Sequence, residues 1–97
     1  MGSSARPKPA RLAAKLLEIR QKLGLSQNGM IRRLGLSEEL AQERISKFER
    51  GVLEPPLYVL CAYAEAANVY LEVLAKDDLN LPKDLPARQK SEGVKRK

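Results

Sequence analysis

Residues 23–37 hold the sequence L-G-L-S-Q-N-G-M-I-R-R-L-G-L-S, in which the tetrapeptide L-G-L-S occurs twice, eleven positions apart. Glycine readily adopts the left-handed conformation just past a helix C-terminus, and serine is a preferred N-cap. Each copy therefore predicts the end of one helix and the start of the next. The segment between the two glycine-serine corners, Gln27 to Leu34, predicts a helix of about two turns. These capping signals alone would fit equally well with two ordinary turns between helices of a small bundle.

The spacing of apolar residues on either side predicts four more helices, so the expected fold class is all-α. The first predicted helix ends at Gly24 and carries one amphipathic stripe, which consists of Leu12, Leu16, Ile19 and Leu23. A third helix follows the second L-G-L-S and runs to about Arg50. The fourth is predicted from Leu57 to Ala67, after two prolines, and a short fifth from Tyr70 to Ala75.

The fourth predicted helix, L-Y-V-L-C-A-Y-A-E-A-A, is apolar nearly all the way round. In so small a chain this composition favours burial on a second side, as in a dimer interface. Cys61 lies in the middle of this helix among apolar neighbours. We therefore expect it to be a small core residue rather than a nucleophile.

The composition argues against an enzyme and against a metal site. The chain has 97 residues, one cysteine and no histidine, so it lacks the usual general base and the common ligand sets for zinc. We therefore expect no catalytic residues, no metal and no cofactor. No apolar run is long enough to cross a membrane, which predicts a soluble, cytoplasmic protein with no membrane partner.

The basic charge is concentrated in the first half and at the end of the chain. The net charge is +6, made up of +6 over residues 1–51, −4 over residues 52–86 and +4 over residues 87–97. A basic N-terminal half suits a polyanion such as nucleic acid, although a merely solvated basic face would have the same composition. The four aromatic residues do not alternate with basic ones, which favours duplex DNA over a single strand.

With five short helices in place, several motifs resemble the Xre and lambdoid-phage repressor family of helix-turn-helix proteins, the Cro/C1 type. These motifs are L-G-L-S-Q, the second L-G-L-S, I-S-K-F-E-R-G at residues 45–51, and E-P-P at residues 54–56. The resemblance implies a five-helix, lambda-repressor-like domain over residues 11–75. Residues 1–10 hold two prolines and two basic residues without apolar periodicity, which predicts a flexible basic arm, and the first four have the composition of an expression scar. The prolines at 82 and 86 and the polar, basic sequence after them predict an extended or disordered basic tail over residues 76–97.

The resemblance also implies which residues contact DNA and which brace the motif. The base-reading positions fall on the third helix, at Gln42, Glu43, Arg44, Ser46 and Lys47. The phosphate-binding positions fall on Ser26, Gln27 and Arg50. Arg20 and Glu49 correspond to a structural brace between the first helix and the reading helix.

The connection before Ile45 departs from the family pattern. Residues 36–44 make it about four residues longer than usual, which is roughly one helical turn. The extra residues either lengthen the reading helix at its N-terminus, with Ser37 as cap and Glu38 and Glu39 in the first turn, or form a longer loop before a helix that starts near Ala41. The capping chemistry slightly favours the longer helix.

The sequence thus predicts a sequence-specific regulator of transcription, acting as a repressor, that binds double-stranded DNA at the nucleoid as a homodimer. The alternative is a protein-interaction module, such as an antitoxin or adaptor, that captures a partner through residues 77–86. The proline-containing sequence L-N-L-P-K-D-L-P in that segment motivates the alternative.

Overall fold

The computed structural model describes residues 9–86 and 89–95, and in these residues it contains five helices and one small sheet. The predicted arm at residues 1–8, with its first four residues, lies outside the described residues. The helices are α1 (Leu12–Leu23), α2 (Gln27–Leu34), α3 (Gln42–Glu49), α4 (Leu57–Ala67) and α5 (Leu71–Ala75). The strands β1 (Leu79–Asn80) and β2 (Val94–Lys95) pair antiparallel, with Leu79 opposite Lys95. The predicted all-α class with five helices is confirmed, and the sheet is an addition to it.

The first glycine-serine corner ends one helix and starts the next as predicted, whereas the second ends α2 but starts no helix. Gly24 and Gly35 end α1 and α2 in the left-handed conformation, with φ of 69° and 73°. Ser26 caps α2, because its hydroxyl accepts a hydrogen bond of 2.9 Å from the backbone N–H of Gly29. The second serine, Ser37, lies in a turn and caps no helix.

The longer form of the third helix is wrong, and the loop alternative is correct. The helix begins at Gln42, after a turn at residues 37–39. Leu40 is 92 % buried in the core, with only 8 % of its surface exposed, and Ala41 has an extended backbone with ψ of 161°. Because Leu40 draws the chain into the core, Glu38 and Glu39 stay outside α3.

One core joins the helices. Its largest fully buried apolar side chains come from every helix, and they include Leu16, Ile19, Met30, Ile45, Phe48, Val59, Tyr63 and Leu74. The expectation that Cys61 is a core residue is wrong, since its side chain is exposed. With Leu57 and Tyr58, which are 66 % and 50 % exposed, Cys61 forms an apolar face on the outer side of α4.

The part of the predicted tail that the structure describes packs against the helices. Leu81 is buried, and the side-chain amide of Asn68 donates to the carbonyl of Pro86. Ser91 exchanges backbone hydrogen bonds with Asn68 and Tyr70 at the α4–α5 corner. This segment therefore covers α5, while the division of the chain at Lys76 stays a prediction. No helix within the described residues is long and apolar enough to span a membrane.

Candidate nucleic-acid interface

The outer side of α3 carries a ridge of polar side chains. Residues 43, 46, 47 and 50 follow the spacing that places side chains on one face of a helix. Glu43, Lys47 and Arg50 are exposed, and Ser46 is half-buried. Arg50 Nε donates to the Ser46 hydroxyl at 3.2 Å. The opposite face holds Ile45 and Phe48 in the core, so α3 presents this ridge to solvent.

Gln42 and Arg44, the other two predicted base-reading residues, lie at the edges of the ridge. Gln42 is the first residue of α3, and its exposed side chain is at the end of the helix that faces α2. Arg44 is also exposed, but it lies about 60° round the helix from Lys47 at 100° per residue. The structure thus brings Glu43, Ser46 and Lys47 together, with Gln42 at one end of the ridge and Arg44 at its side.

Arg20 of α1 and Glu49 of α3 form the contact expected of the brace. Arg20 Nε and Nη2 donate to the two carboxylate oxygens of Glu49, at 2.7 and 3.0 Å. The side chains are 19 % and 5 % exposed, so the pair is largely shielded from water. Arg20 Nη1 also donates to the carbonyl of Leu25, at the corner before α2. The hydrogen bonds to Glu49 raise the pKa of Arg20 above its usual value, so the guanidinium stays charged.

Two glutamines extend the brace to the start of the ridge. Gln27 Nε2 donates to Glu49 Oε1 at 3.2 Å, and Gln42 Nε2 donates to Gln27 Oε1 at 3.1 Å. The chain of contacts therefore runs from Arg20 through Glu49 and Gln27 to Gln42. Since Gln27 is the first residue of α2 and Gln42 the first of α3, these contacts fix the start of one helix against the other.

The N-terminus of α2 combines exposed polar groups with backbone donors. Ser26 is exposed and Gln27 is half-buried. The first backbone N–H groups of a helix have no partner within the helix, and those of Gln27 and Asn28 point away from its start. Asn28 is exposed beside them, although the sequence analysis did not single it out. Such an end attracts anions, including phosphate. Arg50, the third predicted phosphate contact, lies at the far end of α3.

Charges of both signs lie around the ridge. Glu38 and Glu39 are exposed in the turn before α3, and Glu43 lies in its first turn. Lys47 and Arg50 follow toward the C-terminal end. The ridge is therefore acidic where α3 begins and basic where it ends, so the basic end suits a phosphate and the acidic end suits a hydrogen-bond donor.

The sequence analysis missed two residues that hold the helices and the segments beside them in place. Lys15 is 2 % exposed, and its ammonium donates to the carbonyls of Val73 and Lys76 at 2.7 Å each. Burial is the main cause that lowers the pKa of Lys15. The carboxylate of Asp77 accepts from the backbone N–H groups of Ala10 and Arg11. The sequence did hold a signal for Lys15, because it lies three residues after Leu12 and four before Ile19, in register with the apolar stripe.

A helix-turn-helix family model matches residues 16–74 of the chain, which is more than half of its length. The matched span begins within α1 and ends within α5, and it includes the ridge, the brace and the N-terminus of α2. A search of the curated proteins gave no match.

Proposed function

The chain belongs to the Cro/C1-type helix-turn-helix family, whose members are DNA-binding regulators, and from this premise we propose that it inserts α3 into the major groove of duplex DNA as a dimer. The observation that carries this proposal is the chain of contacts from Arg20 to Gln42. It holds the start of α3 against the start of α2 while the ridge of α3 stays open to solvent. A helix held in this way fits the major groove, where each base pair shows a distinct pattern of donors and acceptors.

The ridge residues have the chemistry that base reading requires. Gln42 can pair with adenine through its amide, Glu43 can accept from the amino group of cytosine, and Lys47 can donate to the acceptors of guanine. Ser46 lies between Glu43 and Lys47 and adds a hydroxyl. Arg44, at the side of the ridge, is placed for the wall of the groove. Ser26, Gln27 and Arg50 would hold phosphates at the two ends of the helix pair.

A selection experiment tests this assignment. The purified chain is mixed with randomised duplex DNA, and the retained fraction is sequenced at a stated salt concentration. We expect a two-fold symmetric site to be enriched, and the Gln42→Ala, Lys47→Ala variant to lose that preference. The matched control is Lys83→Ala, Gln89→Ala, which removes one lysine and one glutamine from exposed positions outside α3. Equal enrichment by wild type and the α3 variant would refute base reading by this helix.

The apolar face of α4 supports the proposed homodimer. Leu57, Tyr58 and Cys61 are exposed to water on one side of the helix. A second copy of the chain would bury this apolar surface. A dimer would read two half-sites about 10 base pairs, or a multiple of that, apart. Leu57→Glu should shift the chain from dimer to monomer in sedimentation equilibrium. Val94→Glu, a change at another exposed apolar residue, should not.

We propose that the dimer acts as a repressor at the nucleoid. Bound to its site on DNA, it would block other proteins from the same site. The alternative, partner capture through residues 77–86, is less well supported. Asp77 already accepts hydrogen bonds from Ala10 and Arg11 just before α1, and Leu81 is buried in the core, so this segment would have to leave these positions to bind a partner.

A further inference from the structure

A cavity of about 130 Å³ lies where the end of α3 and the loop after it meet the start of α1. Its floor is apolar and buried, and it consists of Leu12, Phe48 and Pro55. Its rim is exposed, and it is formed by Ala10, Gly51 and Glu54. The cavity therefore combines an apolar floor with an opening to water.

Small residues keep this cavity open. Ala10, Ala13 and Gly51 line it with at most one side-chain carbon each. Gly51 has a φ of +73°, so a larger residue at this position would be strained and could not fill the space. Side chains beside a void lose contacts that a fitting occupant restores, because protein interiors are otherwise close-packed. The volume is near that of cavities that hold a benzene ring.

The start of α1 supplies this cavity with hydrogen-bond donors. The first N–H groups of a helix have no partner within the helix, and no side chain caps α1. In the part of the chain that the structure describes, the backbone N–H groups of Leu12 and Ala13 have no acceptor outside the helix either. Both residues line the cavity. The N–H groups of Ala10 and Gly51, by contrast, already donate to other residues of the chain.

The charges around the cavity favour an uncharged occupant. The carboxylate of Glu54 on the rim repels an anion. The start of α1 carries the positive end of the helix dipole, which repels a cation. Burying either charge against Leu12 and Phe48 would also cost hydration, since these side chains are 5 % and 1 % exposed.

We propose that this cavity is a binding site for a small uncharged ring compound that carries a carbonyl or similar oxygen acceptor. The ring lies on Leu12 and Phe48, and the oxygen accepts from the N–H groups at the start of α1. This inference goes beyond the proposed function and does not depend on DNA binding. It places a ligand against the last turn of α3 and the loop that leads to α4.

The test titrates the full chain, labelled with ¹⁵N, with acetophenone as the probe and follows the backbone amide signals by NMR. Acetophenone should bind with a Kd of about 1 mM or less. The largest shifts should occur at Ala13, Phe48 and Gly51, with the amide protons of Leu12 and Ala13 moving downfield. Benzoate and benzylammonium, which have a similar size but carry a charge, should bind at least about ten-fold more weakly.

Two variants with a blocked cavity and one matched control complete the test. Ala13→Leu places a larger side chain in the cavity, and Ala10→Leu narrows its rim from an exposed position where folding is not at risk. Each should weaken acetophenone binding at least about ten-fold. The control, Ala14→Leu, makes the same change at the next residue of α1, which is exposed and does not line the cavity, and it should bind as wild type does.

Four results would each overturn the proposed site. These are no saturable shifts up to about 10 mM acetophenone, the largest shifts on the apolar face of α4, equal binding of a charged probe, and wild-type binding by both blocked variants. The DNA selection described above is a separate measurement, so failure of the ligand site and failure of the proposed function are distinguishable.

Discussion

Removing the Glu49 carboxylate should destabilise the fold far more than removing an exposed one. In Glu49→Ala, Arg20 loses two hydrogen bonds of 2.7 and 3.0 Å and Gln27 loses one of 3.2 Å. Because only 19 % of the Arg20 side chain is exposed, its charge cannot regain full hydration. Breaking one partner of a buried pair costs about 3–5 kcal/mol, and we expect the lower end, about 3 kcal/mol, since Arg20 keeps its bond to Leu25.

The assay is thermal and urea unfolding of the wild type, Glu49→Ala and the control Glu38→Ala. For a domain of this size, about 3 kcal/mol corresponds to a fall in Tm of at least about 12 °C. Glu38 is exposed in the turn before α3, so its removal should change stability by less than about 0.5 kcal/mol. The double variant Arg20→Leu, Glu49→Leu should be more stable than Glu49→Leu alone, because it leaves no unpaired charge. A cost below about 1 kcal/mol for Glu49→Ala, or strictly additive effects in the double variant, would refute the reasoning, since exposed ion pairs behave in that way.

Three further predictions concern the scaffold. Lys15→Met should lower the free energy of unfolding by about 2 kcal/mol in urea titrations, because the carbonyls of Val73 and Lys76 lose their donor, whereas Lys22→Met at the surface should have little effect. The backbone N–H groups of Ala10 and Arg11 lower the pKa of Asp77, so its stabilising contribution is complete above the ordinary pKa of about 3.8 and is lost as the pH falls through the lower folded value. In unfolding experiments at a series of acidic pH values, Asp77→Asn should therefore lose less stability than wild type below about pH 4, and parallel curves would contradict this. Gly35→Ala should cost about 1 kcal/mol because of its positive φ alone, since an added Cβ would meet nothing within 4 Å, and an unchanged midpoint would count against this.

The helices could be predicted because their signals are local. The stripe from Leu12 to Leu23 and the caps at Gly24, Ser26 and Gly35 act within one or two turns, and the structure has each of them. The start of α3 could not be predicted in this way. Glu38 and Glu39 suit the first turn of a helix, but the burial of Leu40 in a core built by other helices decides the path of the chain.

The scaffold contacts of the C-terminal segment depend on partners far away in the sequence. Lys15 is buried because the end of α5, 58 residues later, supplies a carbonyl to its ammonium. The segment after Lys76 has no apolar period, and its position depends on hydrogen bonds that Ala10 and Arg11, before α1, donate to the side chains of Asp77 and Asn80. Composition alone therefore made this segment resemble a loose tail. For the candidate interface, the resemblance placed Arg20 opposite Glu49, but only the structure shows the bridge through Gln27.

The length of α3 limits what one copy of the chain can read. An eight-residue helix is about 12 Å long, which spans three to four base pairs at about 3.4 Å each. At about 1–3 kcal/mol of discrimination for each position, one copy of α3 would contribute about 3–12 kcal/mol, and in the proposed dimer a second half-site would double the number of positions read. A monomeric Leu57→Glu variant should therefore lose much of its preference for the selected site over scrambled DNA in a competition binding assay, and an unchanged preference would contradict a dimeric reader.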